Sequence, residues 1–278
     1  MIARALQRHP VYAQLNLADP EIQAAMRLAQ PNFFLSFDRS GINPFTQRFP
    51  ITLRLEGTVR GTGGLRITGA DCATSVPGLY AAGDAATREL ICGGFTGGGS
   101  HNAAWAMSSG FWAGEGAAQF ARQFAAHAKT RAVWPAGTVG LQEGKRQALN
   151  ARQLITQVQA QVYPYDINYF RQAGPLEEAL TQLNSTWQQV SEAGPASRGE
   201  AVRTREAAAM LATARWMYRS ALDRRESRGM HKRYDHPDRD PGQRHYQAVG
   251  GLQELWTRAE PAPIDPALAQ TPAVPAMA

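Results

Sequence analysis

Apolar positions recur at helical spacing through the second half of the chain. Two runs, 175–190 and 199–228, have an apolar residue every three or four positions. These residues are Leu176, Leu180, Leu183 and Trp187 in the first run and Met210, Ala214, Met217 and Ala221 in the second. Such spacing gathers apolar side chains on one face of a helix. Together with a third helical pattern at 143–162, it predicts a helical bundle in which the stripes form the core rather than a cofactor site.

A different pattern, typical of strands, occupies the first part of the chain. Residues 51–67 are rich in β-branched side chains and glycine, which predicts short strands broken by bends. In residues 77–84, PGLYAAGD, a small apolar run lies between two glycines. We interpret Leu79 to Ala82 as a buried parallel strand that ends at a tight turn.

A glycine-rich loop, GGFTGGG at 93–99, leads into a long helix predicted at 101–128. Ser100 is the predicted N-cap of that helix. The first face of the helix carries alanine, serine and glycine, so it can approach a sheet or a planar ligand closely. A breaker region at 133–140 separates this helix from the predicted bundle.

The two ends of the chain have simpler patterns. Asp19, Pro20 and Pro31 are suited to cap, start and stop a short helix. The segment HYQAVGGLQELWTR, 245–258, alternates around two glycines and predicts a β-hairpin. The patterns together predict an α/β part followed by an α part.

The composition is that of a globular protein, with 278 residues of which 44% are apolar and 19% charged. Cys72 and Cys92 have no CxxC spacing, so a reduced, cytoplasmic chain is expected. The first fifteen residues lack the apolar core of a signal peptide. No run reaches the roughly 18 apolar residues of a spanning helix, so neither secretion nor membrane insertion is expected.

The net charge of +6 is concentrated in one region. Between Arg203 and Arg244 there are eleven Lys or Arg residues against six Asp or Glu. Because acids are threaded through this region and it matches no nucleic-acid module, nucleic-acid binding is not expected. Its histidines, His231, His236 and His245, do not keep a zinc spacing, so no metal site is predicted.

The junction of Gly83 and Asp84 has the chemistry of a hydroxyl-binding site. The glycine lets a ribose or ribityl chain approach the backbone, and the carboxylate can accept hydrogen bonds from its hydroxyl groups. The same residues also suit a strand followed by a capping aspartate, and from these residues alone both interpretations stand. The glycine loop that follows leads to a helix N-terminus, where free amides attract anionic oxygen. It has neither a P-loop lysine nor a GxGxxG pattern, so we expect it to meet a planar ring rather than a pyrophosphate.

Four segments together resemble the flavoprotein subunits of succinate dehydrogenase and fumarate reductase, and also L-aspartate oxidase and the α subunit of adenylylsulfate reductase. They are GGLRI (63–67), TSVPGLYAAGD (74–84), the glycine loop with its helix (93–112) and RRESRGMHKRYDHPDRD (224–240). The most specific signal is the pattern ESRGxHxRxDxPxRD in the last segment. The resemblance covers most of 45–260. It implies an FAD-dependent oxidoreductase that transfers hydride between flavin N5 and a small, anionic substrate.

The resemblance also implies the site residues. Asp84 contacts the ribityl region of FAD, and the amides around Ser100 to Ala103 face the N1 and O2 edge of the flavin. The implied FAD-binding residues are Gly83, Asp84, Gly98, Gly99, Ser100, His101, Asn102 and Ala103. The candidate catalytic residues are Arg88, His101, Arg228, His231 and Arg233.

Each catalytic candidate has a structural alternative. Arg88 can orient a substrate carboxylate or pair with Glu89 on the surface. His101 can donate to the flavin or the substrate, or be one more residue of a helix cap. Arg228, His231 and Arg233 can clamp a carboxylate beside a titratable imidazole, or form an interdomain ion network.

Two departures from the family restrict what the resemblance implies. The chain lacks the family's opening strand, GxGxxG turn and helix, which hold the ADP pyrophosphate, so the chain alone is expected to bind FAD poorly and to be inactive. The HYxMGG and HGANRLGG segments of dicarboxylate-specific members correspond to VRGTGG (59–64) and GGFTGGGSHN (93–102), without their His and Arg. Succinate or fumarate is therefore not implied as the substrate.

The expected fold is the carboxyl-terminal part of a Rossmann-like FAD-binding domain, followed by a helical bundle and a short β-hairpin. The expected domains are a capping-domain remnant at 1–48, the FAD-binding part at 49–128, a helical domain at 129–244, a hairpin extension at 245–262 and a flexible tail at 263–278. The expected partners are a small anionic substrate, an upstream FAD-binding polypeptide and an iron–sulfur electron-transfer protein, with attachment to a membrane only through a partner. The alternative is a non-catalytic truncated chain or accessory subunit that docks on a separate FAD-binding polypeptide.

Overall fold

The computed structural model describes residues 1–53, 64–88, 99–128, 148–195 and 198–261. The chain divides into two compact units, Met1–Leu55 and Glu56–Ala278. All of the candidate site residues belong to the second unit. The finer domain boundaries expected from the sequence stay predictions.

The first unit contains three short helices and one pair of strands. They are helix α1 (Ile2–Leu6), strand β1 (Val11–Ala13), helix α2 (Pro20–Ala29), helix α3 (Pro31–Arg39) and strand β2 (Phe49–Ile51). The two strands pair antiparallel. The predicted helix after Asp19 is confirmed, because the Asp19 carboxylate accepts from the Ile22 amide at 2.8 Å and Pro20 is the first helical residue.

The predicted parallel strand at Leu79 to Ala82 is wrong. Tyr80 instead forms an isolated antiparallel bridge with Ala73. The cause is the turn at Gly78, whose φ of +85° reverses the chain so that 79–82 folds back on 72–74. Among the described residues, 79–82 therefore pairs with 72–74 and not with a parallel strand.

Helix α4, Gly99–Ala128, packs against this folded-back segment. The buried side chains between them are Cys72, Ala81, Ala86, Trp105 and Ala113. The helix approaches this segment closely at Gly116, where an added Cβ would lie 2.7 Å from the Tyr80 ring. Of the small residues predicted to permit such an approach, Ser109 is buried, whereas Ala103, Ala104, Ala106 and Gly110 are exposed. Ser100 lies within the first turn of α4 and not at the predicted N-cap position, because the helix already begins at Gly99.

The helical bundle follows in the same unit. Its elements are strand β3 (Ala148–Leu149), helix α5 (Ala151–Val162), helix α6 (Tyr165–Asn168), helix α7 (Ala173–Ser191), strand β4 (Gly194–Pro195) and helix α8 (Ala201–Asp223). Strands β3 and β4 pair in parallel. Helices α5, α7 and α8 enclose the largest buried cluster of the described residues, which confirms the predicted bundle.

The two predicted apolar stripes differ in how well they match this core. All four residues of the α7 stripe are buried, with Trp187 only 1% exposed. On α8, however, Met210 is 41% exposed. The buried face of α8 runs instead through Ala207, Leu211, Ala214, Tyr218 and Ala221. Leu211 and Tyr218, which are seven residues apart, both lie on this buried face. Met210, one position before Leu211, lies off it.

The predicted carboxyl-terminal hairpin is confirmed. Strand β5, Tyr246–Gly250, pairs antiparallel with strand β6, Trp256–Glu260. Trp216 of α8 donates through Nε1 to the Gly251 carbonyl at 2.7 Å, which holds the hairpin on the bundle. The connection between the strands is longer than the two glycines that marked it in the sequence. Among the described helices, none combines the length and apolar character needed to span a membrane.

Candidate functional site

Gly83 is held from two sides by helix α4. Its amide donates to Ser109 Oγ at 2.9 Å, and its carbonyl accepts from Trp105 Nε1 at 2.8 Å. Ser109 also donates to the Trp105 carbonyl at 2.5 Å, so its hydroxyl is fixed in orientation. With φ of +59°, Gly83 opens the short 3₁₀ turn Gly83–Ala85. These contacts lock this turn, which we call the GD turn, against α4.

The carboxylate of Asp84 is exposed at the GD turn. The chain after it is also fixed, because the Leu65 amide donates to the Ala85 carbonyl at 2.7 Å and the Thr87 amide donates to the Leu65 carbonyl at 2.9 Å. Gly64 permits this approach: its φ is +96°, and a Cβ there would lie 2.7 Å from the Ala85 oxygen. Asp84 is thus presented to solvent by a turn that is hydrogen-bonded on both sides.

The other predicted FAD-binding residues lie at the start of α4. Its first turn contains Gly99, Ser100, His101, Asn102 and Ala103, whereas Gly98 lies outside the described residues. The first amides of a helix have no partner within it and form the positive end of its dipole. Trp105 and Ser109, which bond to Gly83, belong to the same helix. The GD turn therefore lies beside α4, the helix whose first turn contains the predicted FAD-binding residues.

The residues of this region fit the ribityl and ring portions of FAD by their chemistry. An exposed carboxylate can accept from ribityl hydroxyl groups, and a helix N-terminus favours negative charge on the edge of the ring. The part of the chain that the structure describes offers no strand, glycine turn and helix for the pyrophosphate.

Arg88 lies four residues after Asp84 and is 4% exposed. Arg88 is therefore buried, and Glu89, the partner in its alternative role, lies outside the described residues. His101 is in the first turn of α4. The roles of both residues toward a substrate stay predictions.

Glu226 is the centre of a buried ion network in the 224–240 segment. Its side chain is fully buried. Oε1 accepts from Arg224 Nη1 at 2.9 Å and from Arg228 Nε at 2.7 Å. Oε2 accepts from Arg228 Nη2 and from the Asp240 amide, both at 2.9 Å. Burial alone would raise the pKa of Glu226, but these hydrogen bonds, with Arg228 the strongest, lower it to about 2.

Arg228 directs its two-nitrogen fork at this carboxylate. Both Nε and Nη2 are used by Glu226, and Nη2 also donates to the Asp240 carbonyl at 3.2 Å. The fork of an arginine is the part that recognises a carboxylate in two places at once. Since an internal carboxylate occupies it, the geometry favours the ion network over a clamp for substrate.

Replacing Arg228 by lysine is expected to lower the free energy of unfolding by about 1–2 kcal/mol, because an ammonium keeps the charge but loses the fork. Urea unfolding measures this loss. Arg239→Lys is the matched control, since Arg239 is exposed in the same segment, and it is expected to change stability by less than about 0.5 kcal/mol. Unchanged stability in Arg228→Lys together with lost turnover in the complete enzyme would contradict the network and restore the clamp.

Arg233 connects the ends of two helices. Its side chain is 2% exposed, and Nη1 donates to the carbonyls of Ala221 at 2.7 Å and Leu222 at 3.3 Å, in the last turn of α8. Its Nε and Nη2 each donate to Asp235 at 2.7 Å. Asp235 also accepts from the Ala173 amide at 2.9 Å, at the start of α7. The pair places a cation at one helix C-terminus and an anion at another helix N-terminus, and both helix dipoles favour it.

His231 bridges two arginines in its neutral form. Nδ1 lies 2.8 Å from Arg171 Nη1, and Nε2 lies 3.0 Å from the Arg224 carbonyl oxygen. Because a guanidinium only donates and a carbonyl only accepts, Nδ1 is the acceptor and Nε2 carries the proton. Burial, and after it the charge of the neighbouring arginines, lowers the pKa of His231 to about 4. Both ring nitrogens are therefore occupied in a neutral imidazole.

The structure brings Arg228, His231 and Arg233 into one network, and the partners of these side chains among the described residues all lie in 171–240, outside the GD turn. Sequence reasoning missed the residues that fix these groups, which are Trp105, Ser109, Arg171 and Arg224. The spacing of Trp105 and Ser109 was a usable signal for this contact, because a serine within a helix can donate a hydrogen bond to the carbonyl four residues before it. In the described residues, no three His, Cys, Asp or Glu side chains form a group that could hold a metal ion.

Residues 160–258 match the family described as fumarate reductase flavoprotein C-term. The match includes the 224–240 segment and most of the hairpin. A comparison with curated proteins gave no significant match.

Solved structures of three flavoprotein complexes share the fold of this chain. The quinol fumarate reductase of E. coli is 17% identical with a TM-score of 0.64, and the aligned region covers 92% of this chain and 45% of that one. The Mycobacterium smegmatis Sdh1 complex is 22% identical with a TM-score of 0.56, covering 93% and 45%. The adenylylsulfate reductase of Archaeoglobus fulgidus is 15% identical with a TM-score of 0.60, covering 95% and 49%.

The chain thus spans about half the length of the solved structures that it matches. The family match and the shared fold agree in the bundle and the 224–240 segment. The resemblance indicated by the sequence motifs, to the flavoprotein subunits of fumarate reductase, succinate dehydrogenase and adenylylsulfate reductase, is therefore confirmed for the carboxyl-terminal part of the chain.

Proposed function

We propose that the chain forms the carboxyl-terminal part of an FAD-dependent oxidoreductase of the fumarate reductase and succinate dehydrogenase flavoprotein type. The observation that carries this proposal is the family match over 160–258, extended by a common fold over more than nine-tenths of the chain. The substrate class is a small anion. The proposed partners are an FAD-binding polypeptide and an iron–sulfur protein, and the proposed location is the cytoplasm, with a partner providing any attachment to a membrane.

In this proposal the GD turn and the start of α4 hold the flavin end of FAD. Bound FAD supplies a ring that accepts or donates hydride at N5. Asp84 accepts from the ribityl chain, and the amides around Ser100 to Ala103 stabilise negative charge on the ring edge. Ser109 and Trp105 are positioning residues, because they fix the peptide groups of Gly83 that precede Asp84. Arg88 and His101 are the candidates for contact with substrate.

The 224–240 segment has a separate, structural part in this proposal. Arg228 bonds to Glu226, His231 bonds to the Arg224 carbonyl, and Arg233 bonds to Asp235 and to the last carbonyls of α8. In this proposal Arg233 links the ends of α7 and α8, and Arg228 and His231 order the 224–240 segment rather than touch substrate.

The exposed face of α4 supports an FAD-binding partner region. Met107 is 76% exposed and Phe111 71%, and Trp112 beside them is 42% exposed. Large apolar side chains grouped in this way on a helix are typical of a surface that another protein segment covers. The second candidate function, a non-catalytic accessory chain that docks on a separate FAD-binding polypeptide, is favoured by the same face.

One observation separates the two candidates. A reading frame upstream of or next to this chain that encodes strand, GxGxxG turn and helix favours the enzyme. Co-expression of that frame with the chain is then expected to yield a stoichiometric yellow complex with hydride-transfer activity. A colourless or inactive complex would contradict the enzyme and favour the accessory chain.

Asp84→Asn in this complex is expected to weaken FAD binding about tenfold, because the amide loses a charge-assisted hydrogen bond to the ribityl chain. Fluorescence titration of the apoprotein with FAD measures the change. Stability is expected to shift by less than about 0.5 kcal/mol, since the side chain is exposed. Glu115→Gln, an exposed carboxylate elsewhere on α4, is the control and should leave FAD affinity unchanged. Equal FAD affinity in Asp84→Asn would remove the GD turn from the site.

A further inference from the structure

A cleft of about 440 Å³ lies between α7, α8 and the connection of the hairpin. Its walls include Leu180 and Trp187 of α7, Arg215 and Arg219 of α8, and Glu254 and Leu255 of the connection. None of the lining residues belongs to the GD turn, to α4 or to the 224–240 segment. The cleft is therefore distinct from the proposed flavin site.

Arg215 brings a buried positive charge to this cleft. Its side chain is 2% exposed. Its hydrogen-bond acceptors are neutral: Nε donates to Asn184 Oδ1 at 2.8 Å and Nη1 donates to the Leu252 carbonyl at 2.6 Å. The guanidinium also lies 4.8 Å from the centre of the Trp187 ring. Across the described ranges, no carboxylate forms an ion pair with Arg215.

This arrangement leaves Arg215 without a counter-charge from the described chain. Burial lowers the pKa of Arg215 to about 10, which is the direction expected for a desolvated cation. Buried charges in proteins are as a rule paired, because an unpaired one carries a large desolvation cost. An anion in the cleft would offset that cost.

Two further donors at the cleft have no acceptor in the described part of the protein. They are Nε1 of Trp187, a residue 1% exposed, and Nε of Arg219. The indole groups of Trp105 and Trp216, by contrast, donate to backbone carbonyls at 2.8 Å and 2.7 Å. Both atoms are closed off from solvent, so a ligand would reach them only after the wall of the cleft rearranges, and Arg219 also pairs with Asp223 through Nη2 at 3.4 Å.

We propose that this cleft binds a small organic monocarboxylate. A carboxylate carries a negative charge and only accepts hydrogen bonds, so it suits the uncompensated guanidinium of Arg215. Leu180 and Leu255 provide an apolar wall for the carbon part of the ligand, and the volume lies in the range of small-molecule sites. Glu254 at the exposed edge disfavours anions of higher charge such as phosphate. The inference does not depend on the proposed flavin function.

The indole N–H of Trp187 provides a direct probe. The chain contains six tryptophans, so selective ¹⁵N-tryptophan labelling gives a simple NMR spectrum in which Trp187→Phe identifies the Trp187 signal. Titration with sodium butyrate is expected to shift that signal in a saturable manner. The signals of Trp105 and Trp216, whose N–H groups are already bonded, should stay in place and serve as internal controls. Sodium chloride at the same ionic strength should not reproduce the shift.

Variants of the cleft arginine make the assignment specific. Arg219→Gln is expected to weaken butyrate binding about tenfold, whereas Arg239→Gln, which removes an exposed arginine outside the cleft, should not change it. Thermal unfolding gives a second reading: at the same concentration, butyrate should raise Tm of the unmodified chain more than Tm of Arg219→Gln. This reading holds even if Trp187→Phe does not fold.

Three results would overturn the proposal. A Trp187 signal that does not respond to butyrate would mean that butyrate does not enter the cleft. Equal shifts of all indole signals would mean non-specific binding. Tighter binding of sodium phosphate than of butyrate would assign the cleft to inorganic oxyanions instead of carboxylates.

Discussion

Glu226→Gln is expected to lower the free energy of unfolding by about 3–5 kcal/mol, because removing one partner of a buried ion pair leaves the remaining charges uncompensated. Glutamine has nearly the same size, so the packing around position 226 is retained. It cannot, however, offer two charged oxygens to Arg224, Arg228 and the Asp240 amide. Urea unfolding at neutral pH, followed by the circular dichroism of the helices, measures the loss.

Glu260→Gln is the matched control for this variant. The Glu260 carboxylate is 28% exposed and pairs with Arg258 at 2.6 Å and Arg66 at 3.5 Å. Surface pairs of this kind contribute less than about 1 kcal/mol. Similar losses in the two variants would mean that Glu226 does no more than a surface carboxylate.

The same carboxylate gives the chain a defined acid sensitivity. The pKa of Glu226 falls from its usual 4.5 to about 2, so its stabilising contribution is complete above pH 4.5 and is lost as the pH falls toward 2. Tm of the unmodified chain is expected to fall as the pH is lowered from 4.5 toward 2, and Tm of Glu226→Gln should fall less. Melting curves at a series of pH values test this, and parallel losses in both proteins would assign the acid sensitivity to other groups.

Arg233→Lys is expected to cost about 2–4 kcal/mol, the second-largest effect among these variants. A lysine cannot bond two carbonyls of α8 and both oxygens of Asp235 at the same time, so buried acceptors at the helix end are left without donors. Denaturant unfolding measures the loss. Arg225→Lys is the control, because Arg225 is exposed next to the same helix end. A loss in Arg233→Lys no larger than in Arg225→Lys would refute the helix-linking role.

The local pattern of apolar and polar residues was sufficient to predict α7 and the hairpin. The α7 stripe is long, uniformly apolar and buried on one side, so spacing alone identifies it. On α8 the predicted stripe was right at Ala214 and Ala221 but wrong at Met210, because this helix is rich in small and polar residues and even buries Arg215 and Thr204. Periodicity cannot distinguish a buried arginine from an exposed one, since the difference lies in partners supplied by other elements.

The candidate sites were harder to predict from the sequence than the bundle, because their contacts too are supplied by other elements. The 224–240 motif was recognised as a specific signal, but the use of each side chain depends on contacts far along the chain. His231 meets Arg171 across 60 residues, and Asp235 meets the Ala173 amide across 62. The fold-back at 79–82 was missed because the apolar run was given more weight than the turn at Gly78 that precedes it.

The dependence of the 224–240 segment on two helix ends also has a kinetic meaning. Arg233 and Asp235 can make their bonds only after α7 and α8 lie side by side, so closure of long loops precedes these contacts. We therefore expect the segment to form after the rate-limiting step of folding. Substitutions in it should leave the refolding rate nearly unchanged and should accelerate unfolding, which stopped-flow measurements on Glu226→Gln would detect as a change confined to the unfolding limb. The segment would then set the lifetime of the folded bundle by slowing its unfolding.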